Sequence, residues 1–528
     1  VASGKRTYQD LYNEVVSIAN HLLHLGVKKG DKVAILSANM PNWGITQFAI
    51  ANIGAIAVPI LPGFCSTELQ NILEHAEVKV IFVSRLLAKC LEGVTTPFLE
   101  HKILINNFAT MPEGCYQPED LDKLVPDINL NNTTPLPEVS IDIASIIYTS
   151  GTTGFSKGVV LTHKNLVWDA RQCRTIQPVD ETYRFLSILP MAHTYENTLG
   201  LLLPLMFGAQ VYYLDRVPTP KLLVPAMQKI RPTVVLSVPL IIEKIYKSQV
   251  LPKFTSSKLM SKLYQFAPAR KLFNRLAGKK LMETFGGELK FFGIGGSKLD
   301  GTVEQFLREA KFPYAIGYGL TETAPMAAGS NPSQTFLQGV GPVMEGVQIK
   351  INNPDKSGQG EIWIKGPNVM KGYYKRPELT AETFTEDGWF KTGDLGSFDK
   401  KNRLAIRGRI KTMILGASGE NIYPEEIESI INNFRFVNES LVVENSGKLV
   451  AMVHFNMEEL EKQYQKLKDQ AGNYKEKIND YIEEQKQELR DYVNARVNNF
   501  SKLQLVLVQH EPFEKTPTHK IKRFLYCK

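Results

Sequence analysis

A short loop between Tyr148 and Gly158 carries the residue types that would bind a polyphosphate. Its sequence, Tyr-Thr-Ser-Gly-Thr-Thr-Gly-Phe-Ser-Lys-Gly, combines hydroxyl side chains with three glycines and one lysine. Backbone N–H groups and hydroxyls donate to phosphate oxygens, the lysine adds positive charge, and glycine lets the backbone approach the anion. The candidate phosphate-binding residues are Thr149, Ser150, Gly151, Thr152, Thr153, Gly154 and Lys157.

This loop differs from the ordinary P-loop of nucleotide-binding proteins. The spacing Gly-x-x-x-x-Gly-Lys-Ser/Thr does not occur in it. Residues 143–150 before it and 159–163 after it have the composition of strands, so we expect the loop to join strand to strand rather than strand to helix. The sequence therefore predicts a nucleotide phosphate site of another kind.

Further polar residues lie in four later segments, where a hydrophobic core would not require them. Tyr318 stands between glycines, with Glu322 four positions later, Asp394 lies in a glycine turn, and Arg409 follows a glycine. Lys520 follows a proline-containing turn near the C-terminus. Taken singly, each could be structural. Asp394 could form an Asx-turn, Glu322 could be a solvated acid and Lys520 an exposed base.

The elements that position these residues follow an alternating pattern over the first 400 residues or so. Strand-like apolar runs at 32–37, 55–61, 78–83, 143–149 and 290–293 alternate with helical periodicity. That alternation favours an α/β fold with mainly parallel sheets. From 347 to 364 short strands and turns predict a small antiparallel or barrel-like element.

A second change of pattern near 407–411 predicts a boundary between a large domain, residues 1–408, and a small mobile α+β domain, residues 409–528. Pro424 begins a predicted helix with Ile427, Ile430, Ile431 and Phe434 on one face, and strands are expected at 440–444 and 449–455. The charged stretch 458–499 fits either a coiled coil or helices packed on the small sheet. The interruption of its apolar pattern at Gly472 favours packed helices.

Composition excludes several protein classes. The 528 residues have ordinary glycine, proline and aromatic content, which argues against a disordered, collagenous or repetitive protein. Five scattered cysteines without a Cys-x-x-Cys pair predict a reducing compartment and no structural zinc. The longest apolar run, 45–61, is interrupted by polar residues and reads as a core helix leading into a strand. No secretory signal opens the chain, and we expect a cytoplasmic protein.

Positive charge is concentrated in one segment. Residues 244–280 contain ten Lys or Arg and no Asp or Glu, so the rest of the chain has a net charge of −2 against +8 overall. Apolar residues lie between these bases, in a pattern compatible with basic amphipathic helices. One interpretation is a solvated helical face, and the other is a peripheral contact with anionic lipid on the inner membrane face. Nucleic acid is not expected as a partner, since no known recognition module accompanies the charge.

Taken together and in this order, the motifs resemble the adenylate-forming, or AMP-binding, acyl- and aryl-CoA synthetases. The resemblance spans the chain from Tyr8 to Lys520 and is closest to the long-chain fatty acid–CoA ligase branch. The segments 189–196, 238–246 and 516–520 support that branch. One departure is Phe155-Ser156, where the family usually has proline before the lysine.

The resemblance implies a two-step reaction and a role for each motif. A fatty acid and ATP would form acyl-AMP and pyrophosphate, and CoA would then displace AMP. Lys520, Glu322 and His193 would be catalytic, and Thr149, Thr152 and Glu322 would position Mg²⁺. Beyond the phosphate loop, ATP or AMP would contact Gly295, Gly317, Tyr318, Gly319, Thr321, Asp394 and Arg409.

The same resemblance implies sites for the other two substrates. Lys411 would be the hinge about which the small domain rotates between the two steps, and Gly416, Ser418, Gly419 and Glu420 would line the CoA channel. The acyl chain would run past His193, Tyr195, Val238 and Gly296, although a packing role for His193 stays open.

Two other functions remain open. One keeps adenylation but passes the acyl group to an acyl carrier protein, and the other is a catalytically silent nucleotide-binding membrane scaffold. The sequence does not determine the oligomeric state, and a homodimer is a further expectation.

Overall fold

The computed structural model describes residues 4–126, 128, 132, 134–136, 142–149, 156–216, 218–255, 257–415, 421–445, 447–467, 474–517 and 520–526. The strands are β1 Lys32–Leu36, β2 Ile56–Ile60, β3 Val78–Val83, β4 His101–Leu104, β5 Ala109–Thr110, β6 Ile143–Thr149, β7 Lys157–Thr162, β8 Arg184–Ser187, β9 Gln210–Tyr213, β10 Val234–Ser237, β11 Phe291–Ile294, β12 Tyr314–Gly319, β13 Met326–Gly329, β14 Gln348–Asn352, β15 Gly360–Lys365, β16 Gly372–Tyr373, β17 Phe390–Phe398, β18 Leu404–Arg409, β19 Ile414–Leu415, β20 Asn421–Ile422, β21 Val437–Asn445, β22 Lys448–Phe455 and β23 Leu505–Val508.

The α-helices are α1 Tyr8–His24, α2 Pro41–Asn52, α3 Ser66–Ala76, α4 Pro118–Leu121, α5 His163–Ile176, α6 Thr194–Glu196, α7 Leu203–Met206, α8 Pro220–Ile230, α9 Pro239–Ile245, α10 Leu251–Thr255, α11 Lys258–Gln265, α12 Ala267–Thr284, α13 Gly301–Glu309, α14 Pro377–Thr383, α15 Pro424–Ile431, α16 Met457–Leu467 and α17 Tyr474–Asn494. Two π-helical segments, Asn197–Leu202 and Tyr246–Val250, continue α6 and α9.

Two large sheets form the N-terminal part of the molecule. One has the strand order β16-β7-β6-β2-β1-β3-β4-β5 and the other β13-β12-β11-β10-β8-β9. Most pairs inside them are parallel, including β1 with β2 and β3, and β10 with β8 and β11. Buried apolar side chains from both faces supply two large core clusters. Strands that are apolar throughout are typical of sheets with helices on both faces. The predicted α/β class is therefore confirmed.

The segment expected to be barrel-like is a four-stranded antiparallel sheet with the order β14-β15-β17-β18. It extends further along the chain than the pattern at 347–364 indicated, since β17 and β18 supply its other half. This sheet ends at Arg409, close to the predicted change of pattern.

The C-terminal part has a core of its own around β21, β22, β23 and the helices beside them. Ile427 and Ile431 of α15 are buried there, as the predicted helix face requires. Within the described residues, the charged stretch contains the helices α16 and α17, and Leu460, Leu489 and Val493 bury their side chains in this core. Packed helices, not a coiled coil, are therefore confirmed.

Among the described residues, no helix is both long enough and apolar enough to cross a membrane. The apolar run at 45–61 divides into α2 and β2 and lies in the core, as expected.

Candidate active site

The strand ends of the second large sheet bring several predicted residues to one edge. Val238 directly follows β10, Gly295 and Gly296 follow β11, and Gly317, Tyr318 and Gly319 form the end of β12. These strands are parallel neighbours, so their carboxyl ends lie at the same edge. Ligands of open α/β sheets bind in the crevice outside such an edge.

The phosphate loop connects β6 and β7, which pair antiparallel with Thr149 opposite Lys157. The predicted strand-to-strand connection is therefore confirmed. The loop residues Ser150, Gly151, Thr152, Thr153 and Gly154 lie outside the described residues. At its entrance, Thr149 Oγ1 is buried without a hydrogen-bond partner among the described residues.

Lys157, at the other end of the loop, belongs to a small polar cluster with Glu322 and Tyr373. Lys157 Nζ donates to Tyr373 Oη at 2.6 Å and lies 3.2 Å from Glu322 Oε1. The Tyr373 hydroxyl in turn donates to Glu322 Oε1 at 2.8 Å. Burial and the Glu322 charge raise the pKa of Tyr373, which keeps its hydroxyl a donor. The cluster sets a cation and a carboxylate side by side at the mouth of the phosphate loop.

A second polar cluster joins Tyr318, Asp394 and Arg409. The Tyr318 hydroxyl donates to Asp394 Oδ2 at 2.8 Å, and Arg409 Nε lies 2.9 Å from Asp394 Oδ1. Asp394 and Arg409 are paired residues of β17 and β18, so the antiparallel ladder itself places them together. Asp394 is buried and Arg409 is half exposed, which leaves the guanidinium free to reach a ligand.

The C-terminal segment brings Lys520 to both clusters. Burial and the cationic Arg409 lower the pKa of Lys520 to about 8, against a smaller raising effect of Asp394 and Glu322. The side chain keeps an exposed surface, so the lowering arises from the surrounding cleft and from Arg409 rather than from full enclosure. At the turn before it, a Cβ added to Gly63 would lie 3.1 Å from Pro517 Cα, so this turn rests against the N-terminal part.

His193 is also near Lys520. Burial and the Lys520 charge lower the pKa of His193 to about 4, so the imidazole is neutral at physiological pH. Its Nδ1 accepts the Tyr195 N–H at 3.2 Å and caps the turn α6. His193 therefore has a structural bond, which leaves its other ring nitrogen for a further contact.

Tyr195 covers the glycines at the end of β11. A Cβ on Gly295 would lie 3.4 Å from the Tyr195 ring, and one on Gly293 would lie 2.9 Å from its hydroxyl. At Gly293 a larger residue would collide with the Tyr195 hydroxyl, whereas at Gly295 the contact would be an ordinary one. Gly296 has φ of +87° and lies beside Val238, so a Cβ there would meet Val238 Cγ1 at 3.7 Å.

An apolar cavity of about 40 Å³ lies behind this tyrosine. Its walls include Ile176, Phe185, Leu199, Leu236, Phe291 and Met326. Leu236 also contacts the Gly293 position that Tyr195 covers, so the ring and the cavity are adjacent. The volume fits only about three water-sized groups, and a long chain would have to displace side chains.

Glu196, next to Tyr195, is a buried acid that the sequence did not single out. It is 1% exposed, and its Oε2 has no hydrogen-bond partner among the described residues. Burial raises its pKa to about 8, so it is mostly protonated at neutral pH. A Cβ on Gly200 would lie 2.5 Å from Glu196 Oε1, so the carboxyl fills the space of a missing side chain.

The C-terminal part is held against the N-terminal part through Asp300. Asp300 Oδ1 caps α13 by accepting the Thr302 and Val303 N–H groups, while its Oδ2 accepts from Ser429 at 3.2 Å and from Asn433. Nearby, Lys298 Nζ lies 3.0 Å from Glu426 Oε1. These contacts accompany the arrangement in which Lys520 reaches the clusters.

Six further predicted positions lie at the edge of the site or beyond the described residues. Thr321 begins the 3₁₀ turn that carries Glu322, and Lys411 lies in another at Ile410–Thr412. Gly416, Ser418, Gly419 and Glu420 lie outside the described residues. Tyr373 is the site residue that sequence reasoning missed, although the Gly-Tyr-Tyr sequence at 372–374 could have marked it.

The residues present fit a magnesium ion that is shared with phosphates. Among the described residues, no group of three His, Cys, Asp or Glu side chains could hold a metal by itself. Glu322 and the unpartnered Thr149 hydroxyl supply oxygen atoms at the phosphate loop. Mg²⁺ prefers oxygen and often binds through one or two protein ligands plus substrate phosphates and water.

Solved structures of similar fold are adenylate-forming enzymes. One is ATP-bound MatB from Rhodopseudomonas palustris, with a TM-score of 0.75, 22% identity and coverage of 100% of this chain and 94% of that one. Another is o-succinylbenzoate CoA synthetase from Bacillus subtilis in complex with its acyl-adenylate intermediate, with a TM-score of 0.73, 22% identity and coverage of 98% and 93%. At this identity the likeness concerns the fold.

The sequence relatives include fatty acyl-CoA synthetases and long-chain-fatty-acid–CoA ligases. Fatty acyl-CoA synthetase A of Dictyostelium discoideum is 27% identical and covers 99% of this chain and 85% of its own length. The long-chain-fatty-acid–CoA ligase FadD15 of Mycobacterium bovis is 30% identical, with coverage of 88% and 80%. Residues 2–374 match the family described as AMP-binding enzyme. The chain therefore belongs to the AMP-binding enzyme family, as its motifs predicted.

Proposed function

We propose that this chain is an AMP-forming fatty acid–CoA ligase. It joins a fatty acid to AMP with release of pyrophosphate and then transfers the acyl group to the thiol of CoA. The observation that carries the proposal is the approach of Lys520 to the Asp394–Arg409 and Glu322–Lys157 clusters. The fatty acyl-CoA synthetase and the long-chain-fatty-acid–CoA ligase among the relatives support the choice of acid.

Adenylation needs positive charge, because a carboxylate attacks an α-phosphate and both are anions. Lys520 supplies that charge at the forming bond, and Lys157 holds the phosphates that leave. Tyr318 lies against the adenine, while Asp394 accepts from the ribose hydroxyls and Arg409 donates to the same sugar. Gly295, Gly317, Gly319 and Thr321 form the remaining wall of the nucleotide site.

A magnesium ion bound at the phosphate loop would neutralise phosphate charge in this step. Glu322 and Thr149 would hold it, with Thr152 from the phosphate loop. Tyr373 keeps Glu322 in place by donating to one of its oxygens.

The acyl chain enters the cavity behind Tyr195. His193, Val238 and Gly296 line the passage from the reacting carboxylate, and the wall beyond them is apolar. Because the cavity is small, a long acid must move side chains to enter. We expect Tyr195 to move, since its ring lies against glycines that give it room.

The thiol-transfer step requires other surroundings. We assign residues 1–408 to the adenylation domain and 409–528 to a lid domain that rotates about Lys411. Rotation withdraws Lys520 and lets Gly416, Ser418, Gly419 and Glu420 line the pantetheine channel. The separate hydrophobic core of residues 422–506 supports a lid that moves as one body.

Half-reaction assays test these assignments. Lys520→Ala should lower fatty-acid-dependent ATP–pyrophosphate exchange by at least about 100-fold, on the scale of losing one charged contact to the transition state. Thiol transfer from chemically prepared acyl-AMP to CoA should stay within a few-fold of wild type. Lys522→Ala is the matched control, because that lysine lies two positions away and outside the proposed site. Undiminished exchange in Lys520→Ala would refute the assignment.

A further inference from the structure

We propose that α11 and α12 form a docking face for an anionic lipid bilayer. The face consists of Leu259, Lys262, Leu263, Phe266, Lys271, Leu272, Arg275, Leu276 and Lys279, which are all exposed. None of these residues is among those proposed for adenylation. Its partner is the headgroup and outer acyl region of a membrane.

The bases on this face stand without nearby acids in the sequence. Residues 244–280 hold ten Lys or Arg and no Asp or Glu, and the first acid after them is Glu283. Lys271, Arg275 and Lys279 are four residues apart on α12, so they form one row along the exposed side of the helix. A row of cations is complementary to a surface of anionic headgroups.

Large apolar side chains stand beside the bases and are open to solvent. Leu259 is 69% exposed, Phe266 63%, Leu276 61% and Leu272 57%. Leu259 and Leu263 are four residues apart on α11, Phe266 directly follows that helix, and Leu272 and Leu276 are four residues apart on α12. Exposed apolar side chains grouped in this way mark an interaction surface rather than ordinary scatter.

Internal packing fixes which sides of the two helices face outward. Phe254 stacks on Tyr264 with ring centroids 4.7 Å apart, and the Tyr264 hydroxyl donates to Asn274 Oδ1 at 2.8 Å. Gly278 lies against Ala310, where an added Cβ would approach to 2.6 Å. The inward sides are thus occupied, and the basic and apolar residues of the face remain exposed.

Two bases of the segment 244–280 do not contribute to the exposed face. Arg270 points inward and pairs with Glu309 at 2.9 Å. Lys247 is partly buried near Glu243 and Asp300, and its pKa is lowered chiefly by burial. A charge count along the sequence therefore overstates the face, and these two residues should not be changed when it is tested.

A bilayer fits this combination better than a nucleic acid does. Phosphate backbones would use the bases but would leave five exposed Leu and Phe side chains in water. Helices that lie in a membrane interface bury such side chains while Lys and Arg contact anionic lipid. Val238, a proposed acyl contact, caps α9 just before the basic segment. A link between docking and fatty-acid uptake, unlike docking itself, rests on the proposed function.

Co-sedimentation with vesicles tests the face. The full chain is mixed with phosphatidylcholine vesicles, with or without about one third phosphatidylglycerol, and binding is measured at low and high salt. One variant carries Lys262→Glu, Lys271→Glu, Arg275→Glu and Lys279→Glu, and another carries Leu259→Ser, Phe266→Ser, Leu272→Ser and Leu276→Ser. The matched control, Lys28→Glu, Lys29→Glu, Lys400→Glu and Lys401→Glu, changes the net charge equally at exposed sites elsewhere.

Wild type should bind anionic vesicles and lose binding in about 1 M salt, where the Debye length is about 3 Å. The four reversals on the face should weaken partitioning by at least about 600-fold, since each of the four bases near the lipid contributes about a fivefold factor and the new carboxylates repel the anionic surface. The serine variant should also weaken it, and the control should stay within a few-fold of wild type. Equal loss in the control, an unchanged face variant, or tighter binding to a nucleic acid than to vesicles would overturn the proposal. Octanoate-dependent pyrophosphate exchange without vesicles should be unchanged in all variants, which separates this proposal from the function.

Discussion

Raising the pH from about 7 to about 9 should reduce kcat/KM of the adenylation step about tenfold. Lys520 has its pKa lowered to about 8 by its cleft and by Arg409. A lysine with that pKa is about 90% cationic at pH 7 and about 10% cationic at pH 9, whereas an ordinary lysine is still about 97% cationic at pH 9. Because the reaction needs the cation, the rate should follow this loss of one proton.

The assay is fatty-acid-dependent ATP–pyrophosphate exchange, measured under kcat/KM conditions that report ionisations of the free enzyme. Lys520→Arg is the matched variant, since a guanidinium stays charged across this range. Its activity should be lower at neutral pH, because the geometry differs, but it should not show the fall near pH 8. A wild-type profile that stays flat to about pH 9.5, or an equal fall in Lys520→Arg, would refute the role of Lys520.

Three further predictions concern residues that pack around the site. Tyr373→Phe removes the hydroxyl that donates to Glu322 and accepts from Lys157, so it should slow ATP–pyrophosphate exchange about 10- to 100-fold. Tyr374→Phe is the control, and equal exchange rates in the two variants would refute the role of the cluster. Burial raises the pKa of Glu196 to about 8 from an ordinary 4.5, so its contribution to stability is full below about pH 4.5 and falls as the pH rises to 8, by up to about 1.4 kcal/mol per pH unit. Glu196→Gln should flatten the free energy of unfolding as a function of pH between these values. An unchanged slope would contradict the prediction. Asp300→Ala should cost at least about 1–2 kcal/mol in denaturant unfolding, because it loses the α13 cap together with the contacts to Ser429 and Asn433, while Asp300→Asn should cost less, because asparagine keeps the cap and loses only the second oxygen acceptor; equal costs in the two would contradict the capping role.

Local patterns predicted much of the fold. The strands around the phosphate loop, the α15 helix face and the division of the last charged stretch all follow from periodicity within short windows. Such windows contain both the apolar spacing and the residues that end an element, so the information is local. The extent of the antiparallel sheet was not predictable in this way, because β15 pairs with β17 over a longer separation.

The sequence motifs identified most residues of the site, but not the contacts between them. Tyr318, Asp394, Arg409 and Lys520 were singled out from the sequence, yet their mutual bonds depend on which strands lie side by side. Tyr373 was missed because its partners Lys157 and Glu322 are 216 and 51 positions away. Arg270 looks like any base of the run until Glu309, on another helix, is seen beside it.

One measurement tests the proposed function most directly: AMP release with and without CoA, across saturated acids from acetate to stearate and one aromatic acid, with identification of the thioester. We expect CoA-dependent AMP release that is greatest with a medium- or long-chain acid, together with formation of its acyl-CoA. No turnover with any acid, turnover confined to the aromatic acid, or acyl transfer only to a carrier protein would contradict it.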